Sequence, residues 1–468
     1  MNSYARLLQE ELHPAETAAA RAVEPLAHLP YERELQVKNR ALATFWCQHG
    51  LAGQPPSLLP SPQPRHYRTT TRRRARLRQG RLVLGFDADP ATMPDVAPSA
   101  LEPAAHTAIY RFLSQDLVRP AARILSARLN HAIIRGSYQT FAVILNLDRL
   151  DANIVRSLKG LAKRLQAVDQ RILSCFAFHD PSRSDYYIEQ DTPPVPVRLK
   201  RLYGPPRLRL IFGGRRYDLP PTAFSQVNQS MVEPMLGTVA QLLQPRPEDR
   251  LLDLYCGYGL FARALGPSCA EVMGLDADRE AIQSAVDGAR HDPAGSRITF
   301  LRRRITSEAL SRSLPAPGAP ELIILDPPRQ GVDAGIIATL ARRRPRRVLH
   351  LCCGIETVPG VLRQWANSGF RLAQCAPLDM FAGTDSVELL LLLEPRASAR
   401  SQRQTITRDV VRTRLRRQRT GHETPRATTQ RNPATRRHQA RATRPAPASA
   451  HPPSCGSTHR RNDDAAPG

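Results

Sequence analysis

Two adjacent cysteines, Cys352 and Cys353, close the apolar run Val348-Leu-His-Leu and precede Gly354. A thiol at a strand end, followed by glycine and the start of a helix, has a setting that lowers its pKa and makes it a nucleophile. One of the pair is expected to do chemistry while the other packs into a sheet. Glu388 opens a second apolar run, Leu389 to Leu393, where a solvated acid is out of place. A half-buried carboxyl there has a raised pKa and serves as a general base near neutrality; a salt bridge to one of many arginines would explain it as well. In Asp326-Pro-Pro-Arg329 the two prolines fix an extended backbone that fastens the Asp carboxylate at another strand end. Arg329 suits a phosphate and a protein carboxylate equally.

A fourth group points to a bound nucleotide-like molecule. Asp253-Leu-Tyr-Cys-Gly-Tyr-Gly259 follows an apolar strand and opens a helix, so Gly257 and Gly259 let backbone approach a ligand at a helix N-terminus. The next apolar run ends in Asp276, a carboxylate placed to meet the two hydroxyls of a ribose, or to cap the helix before Arg279. The full dinucleotide pattern G-x-G-x-x-G is absent, which argues against NAD. The eight cysteines contain no C-x-x-C, so no zinc ribbon, iron–sulfur cluster or disulfide framework is expected. Cys175, Cys269 and Cys375 read as inert core residues, and Cys256 as a small filler in its turn.

Positioning these groups requires a sheet whose strands all end at one edge. Five short apolar runs begin at Leu251, Glu271, Ile298, Leu322 and Val348, with helical patterns over Arg279–Ala289, Ala334–Arg343 and Val358–Ala366. Strands apolar throughout and alternating with helices predict a parallel sheet covered on both faces. Two further runs, from Phe370 and from Ser386, lie close enough in sequence to pair antiparallel at its edge. In such α/β sheets the ligand lies at the carboxyl ends of the strands, where every residue named above falls.

The remainder divides by composition. Residues 1–64 read as one or two helices without chemistry, then a Pro/Ser-rich linker over 51–64. Residues 65–220 form an α+β region with strands from Arg81, Phe141 and Leu208 and a helix around Ile154–Leu165. Residues 221–396 carry the sheet, and 397–468 are a disordered basic tail. The net charge of +25 points to a polyanionic partner, and the tail supplies +12 of it from 16 Arg against four acids. The tail either adds nonspecific RNA affinity or is a tolerated extension. Within Arg72-Arg-Arg-Ala-Arg-Leu-Arg78 the residues Arg72, Arg74, Arg76 and Arg78 alternate, so on a strand they share one face and can track phosphates. No apolar run reaches the roughly 18 residues a membrane span needs, and acids near the N-terminus stand where a secretory leader would be basic. A cytoplasmic monomer is expected.

Five ordered motifs, Phe224-Ser-Gln-Val-Asn228, Asp253…Gly259, Asp326-Pro-Pro-Arg329, Leu351-Cys-Cys353 and Asp379-Met-Phe…Val-Glu388, resemble the RNA uracil-C5 methyltransferases, which make 5-methyluridine in tRNA and ribosomal RNA. Arg65-His-Tyr-Arg68 resembles the start of that family's RNA-facing domain. The resemblance implies a class I, Rossmann-like methyltransferase sheet with a C-terminal antiparallel hairpin. It implies S-adenosylmethionine as methyl donor, with Gln226, Tyr255, Asp276 and Asp326 holding the donor or the target base. It implies Cys353 as the nucleophile that adds to uracil C6 and Glu388 as the base that removes the C5 proton. Thr357 sets the register that selects the second cysteine. The chain departs from the family in Cys352-Cys353-Gly354-Ile355 for Ser-Cys-Asn-Pro, in Ser386-Val387 before the acid, and in Leu260 for a polar cofactor neighbour. Lacking cluster cysteines and an evident N-terminal barrel, it stands nearer the tRNA branch. Two rivals remain open: an RNA cytosine-C5 methyltransferase, which would want a cysteine where Arg329 stands, and an RNA-binding chaperone with a decayed methyltransferase domain.

Overall fold

The computed structural model describes residues 3–21, 23–86, 94–183 and 198–396. The first sheet is built from β1 (Thr71–Arg78), β2 (Arg81–Gly85), β3 (Leu129–Gly136), β4 (Phe141–Leu147), β5 (Ile172–His179) and β6 (Leu199–Tyr203) in the order β2-β1-β3-β4-β5-β6. Only β4 and β5 run parallel, and the helix Ala152–Gln166 crosses between them. Asp151 starts that helix by accepting from the amides of Asn153 and Ile154 at 3.0 Å, and Ile154, Leu158, Leu161 and Leu165 bury one stripe on the sheet. The helix Ala104–Asp116 covers the same face. A hairpin, β7 (Leu208–Phe212) and β8 (Arg215–Leu219), turns at Gly213-Gly214 and leads to the second sheet.

That second sheet contains β9 (Arg250–Leu254), β10 (Glu271–Asp276), β11 (Ile298–Arg302), β12 (Glu321–Leu325), β13 (Arg347–Cys352), β14 (Phe370–Leu378) and β15 (Glu388–Pro395). Its order is β11-β10-β9-β12-β13-β15-β14, with five parallel strands and the antiparallel β15–β14 pair at the edge. Alternation along each strand divides the core. Leu251, Val272, Leu322, Ile324, Leu349 and Leu351 face one apolar cluster; Leu252, Leu254, Ile323, Leu325 and Val348 face the other. Both faces are dry, which is why the strands read as unbroken apolar runs.

The N-terminal segment contributes to the second sheet's core: from the helices Tyr4–Glu10 and Tyr31–Gln48, Tyr4, Leu7, Val37, Phe45 and Trp46 join the apolar cluster on one of its faces. The Pro/Ser-rich stretch 51–64 is not a free spacer. Leu58 and Ser61 are buried, and Leu59 bridges to Leu378 by donating to Pro377 O at 2.8 Å and accepting from Asp379 N at 3.0 Å. It docks through these backbone groups and through a few side chains, Leu58 in the apolar core and Ser61 Oγ accepting from Asn228 Nδ2 at 2.9 Å, which are too few to leave a periodic pattern. Met1–Ala397 forms one compact unit; the expected disordered tail over 397–468 lies outside the described residues. No helix among the described residues is long and apolar enough to cross a membrane.

Candidate active site

The order of strands reverses between β9 and β12, and the polar groups gather where these two strands and β10, β13 and β15 end. Register brings the nucleophile and base candidates together. Cys352 pairs with Leu389 across β13–β15, and Leu378 with Glu388 across β14–β15, so Cys353 and Glu388 emerge side by side. Cys352 is buried with the core; Cys353 is half-exposed. A cleft of about 210 Å³ opens beside it, lined by Pro327, Pro328, Arg329, Cys353, Gly354 and Thr357 among others.

The electrostatics correct one expectation. Burial, then the neighbouring Glu388 and Asp326 carboxyls, push the Cys353 thiol up to about 11, against a smaller downward pull from Arg329. The expected lowering by a helix start is not seen: a short 3-10 segment, Ile355–Thr357, follows Gly354, and burial with the two acids keeps the thiol raised. Glu388 is 6% exposed, more buried than expected. Burial and then Asp326 raise its carboxyl well above the ordinary range, with Arg329 opposing. Asp326 is raised by burial and then by Asp276. Arg329 is exposed at the rim.

On the nucleotide side, Asp276 accepts from Gly257 N at 2.9 Å and from Asp278 N at 2.8 Å. The helix Arg279–Ala289 is capped by Asp278, whose side chain accepts from the amides of Glu280 and Ala281, so Asp276 is not the cap. Tyr255 is half-buried at φ 64°, and burial pushes its hydroxyl up to about 12. Gly257, at φ +53°, has open space where a Cβ would stand. Gly259 differs: at φ +79°, a Cβ there would lie 2.7 Å from the Phe300 ring and 3.2 Å from Ala285 Cβ, so backbone conformation and packing account for it. Gln226 is half-buried in the strap between buried Ser225 and Asn228. Arg135 holds that strap from β3, donating to Pro221 O at 2.7 Å and Ser225 Oγ at 3.1 Å.

Arg72, Arg74 and Arg76 do lie on a strand. Pairing of Arg72 with Ile133 and Arg74 with His131 puts them on the sheet face away from the helix Ala104–Asp116. Arg135 shares that face by alternation, so the basic row and the Gln226 strap adjoin. Arg73, between them, is buried against Glu102 instead.

Sequence reasoning missed three groups. Asp253 is wholly buried: one oxygen accepts from Ala262 N at 2.9 Å, and the other has no hydrogen-bond partner among the described residues. His350, beneath the cleft, accepts from Trp365 Nε1 at 3.1 Å and is kept neutral by burial, its pKa lowered to about 4. Phe224 is 56% exposed beside the strap. Motif spacing marks Asp253 and Phe224 but not their burial or exposure; nothing in the sequence marks His350.

Asp253 also makes stability depend on pH. Burial, with Asp326 and Asp276 behind it, raises its carboxyl from 3.8 to about 8. A carboxyl raised in the folded state contributes stability that is full below the unfolded pKa and is lost as pH rises through the folded one. The folded protein should therefore lose up to about 1.4 kcal/mol per pH unit from this group between pH ~4 and ~8. Calorimetric melting should show Tm falling over that window, and Asp253→Asn, which keeps an acceptor for Ala262, should flatten the fall. An unchanged slope in the variant would show that Asp253 is not the group responsible.

Comparisons with known proteins agree with this architecture. The family model tRNA (uracil-5-)-methyltransferase matches residues 207–316. An RNA methyltransferase of Thermosynechococcus vestitus is 32% identical over 193 residues, covering 41% of this chain and 42% of that protein. A 23S rRNA uracil-C5-methyltransferase of Burkholderia ambifaria is 30% identical over 239 residues, covering 49% and 50%. The chain spans about half the length of the curated relatives it matches. A solved structure, the Pyrococcus abyssi tRNA (uracil-54, C5)-methyltransferase in complex with S-adenosyl-L-homocysteine, superposes with a TM-score of 0.59 at 19% identity, over 80% of this chain and 86% of that one. The solved structure shows a SAM-dependent methyltransferase fold, and over part of its length the chain is similar to the RNA (uracil-5-)-methyltransferases.

Proposed function

We propose that this chain methylates C5 of a uridine in structured RNA, tRNA or 23S rRNA, with S-adenosylmethionine as donor and a transient Cys353–C6 bond. The observation that carries the reading is the juxtaposition of Cys353, Glu388 and Asp326 at one sheet edge, each electrostatically felt by another.

The residues fit the donor. Asp253 has a buried oxygen without a partner, Gly257 leaves room above its backbone, and Asp276 keeps spare lone pairs at the end of β10. Asp276, Gly257, Tyr255 and Gln226 would hold it, and when bound it supplies an electrophilic methyl sulfonium. Gly259 would shape the turn through its fit against Phe300. Gly257→Ala is therefore expected to weaken S-adenosylhomocysteine binding about tenfold by calorimetry, while Gly259→Ala lowers unfolding stability by about 2 kcal/mol. Equal effects of the two variants on binding and stability would remove the distinction.

Uracil C5 is a weak nucleophile until sulfur adds at C6 and pushes electron density onto it. Cys353 starts as a thiol, so its proton must leave as the S–C6 bond forms; Asp326, raised and adjacent, can hold it and return it on elimination. C5 takes the methyl group, Glu388 removes the C5 proton, and the C6–S bond breaks to restore the ring. The uridine must leave its stack to reach the cleft, which costs a few kcal/mol and is cheapest in a loop. Arg329 and the row Arg72, Arg74, Arg76 would hold phosphates along the approach.

Incubation of the full chain with methyl-labelled S-adenosylmethionine and transcribed tRNA or 23S rRNA tests the reading. It predicts label in 5-methyluridine after nuclease digestion. Label in 5-methylcytidine would favour the cytosine enzyme, and RNA binding without label the decayed chaperone.

A further inference from the structure

The loop that joins β14 to β15 and delivers Glu388 is held residue by residue from outside. Asp379 accepts from Lys38 Nζ at 2.7 Å on one oxygen and from the Tyr31 hydroxyl at 2.8 Å on the other. Met380 O accepts from Asn228 Nδ2 at 3.2 Å, Phe381 O from Lys38 Nζ at 3.2 Å and Ala382 O from the Tyr67 hydroxyl at 2.8 Å. Gly383 N donates to Glu34, and Gly383 O accepts from Leu26 N at 3.2 Å. Most of these partners belong to the N-terminal segments.

The ionic centre of this clamp is wholly buried. Lys38, Glu34 and Asp379 have no exposed side-chain surface, and Arg65 meets Glu34 at 2.8 Å. Burial pulls the Lys38 ammonium down, but Asp379 and Glu34 outweigh it and its pKa ends raised. Buried ion clusters are a poor route to stability, since an apolar plug of similar volume does as well. Their advantage is direction: hydrogen bonds fix where a backbone runs more tightly than apolar contact does. Leu378–Glu388 is the last pair of the β14–β15 ladder, so the placing of Glu388 depends on what holds the loop beyond it. A base must stand within about 3 Å of the proton it removes.

We propose that Lys38 and Tyr31 are positioning residues of the methyl-transfer site, setting Glu388 against Cys353 through Asp379. The inference rests on Glu388 as the base. Its test uses the full chain, with active sites titrated by a 5-fluorouridine transcript so that rates refer to competent enzyme only. Tyr31→Phe should lower kcat about tenfold and Lys38→Met about a hundredfold, with KM for RNA within about twofold. Both should enrich the covalent protein–RNA species recovered from ordinary transcript after denaturation, as Glu388→Gln does, because proton removal is the slowed step. A merely structural role lowers the number of titratable sites and leaves both readouts alone. Should Lys38→Met fail to fold, Tyr31→Phe carries the test by itself. Normal kcat per site without adduct enrichment in Tyr31→Phe, alongside enrichment in Glu388→Gln, overturns the positioning role and spares the base. Absence of enrichment in Glu388→Gln overturns the base assignment and this inference together.

Discussion

Cys353→Ala is expected to lower methyl transfer by about 10⁴-fold or more, since removal of a covalent nucleophile leaves only binding and proximity. The same variant should form no denaturation-resistant complex with 5-fluorouridine RNA, in which fluorine at C5 blocks proton loss and traps the adduct. Cys352→Ala is the decisive partner. Its thiol is buried opposite Leu389 in the core, so its loss removes packing and costs about 1 kcal/mol while kcat per folded molecule stays near that of the parent. Gel shift of the fluorinated complex and initial rates read both variants. A dead Cys352→Ala with an active Cys353→Ala would reverse the assignment.

Glu388→Gln should cut turnover by roughly 10²- to 10⁴-fold, the usual range for a general base, and leave adduct formation intact. The pH profile sharpens this expectation. Burial and Asp326 raise the Glu388 carboxyl and favour its protonated form, and a protonated base is idle. Activity should rise with pH as Glu388 ionises and as the Cys353 thiol, pushed up to about 11, approaches its own titration. Glu388→Gln should also speed iodoacetamide labelling of Cys353 at alkaline pH, because a neutral amide no longer opposes the thiolate. Slower labelling in the variant would mean the carboxyl assists sulfur ionisation and would reassign it as the thiol's base.

The second sheet was legible because burial on both faces leaves unbroken apolar strands such as Leu322 to Leu325, each followed by a polar turn. The helix expected over Arg279–Ala289 stands at those bounds. Cys353, Asp326 and Glu388 could be placed at one edge for the same reason. Their pKa values could not, because the thiol is raised first by burial and then by Glu388 and Asp326, acids remote from it in sequence. The stretch 51–64 reads as a linker because it docks through backbone groups and a few scattered side chains such as Leu58 and Ser61, which carry no period. Lys38 and Glu34 look like an ordinary solvated helical ion pair; only the fold sets them opposite Asp379 and takes all three out of water.

The separation between Lys38 and Asp379, 341 positions along the chain, has a consequence for synthesis on the ribosome. The helix Tyr31–Gln48 carries both Lys38 and its partner Glu34 and is made long before Asp379, the second carboxylate that meets the Lys38 ammonium. Until then that helix lacks the sheet face it docks on and one of the two carboxylates that hold Lys38. On the proposed function, methyl transfer waits for the hairpin that ends the sheet, because Glu388 stands at the start of its last strand.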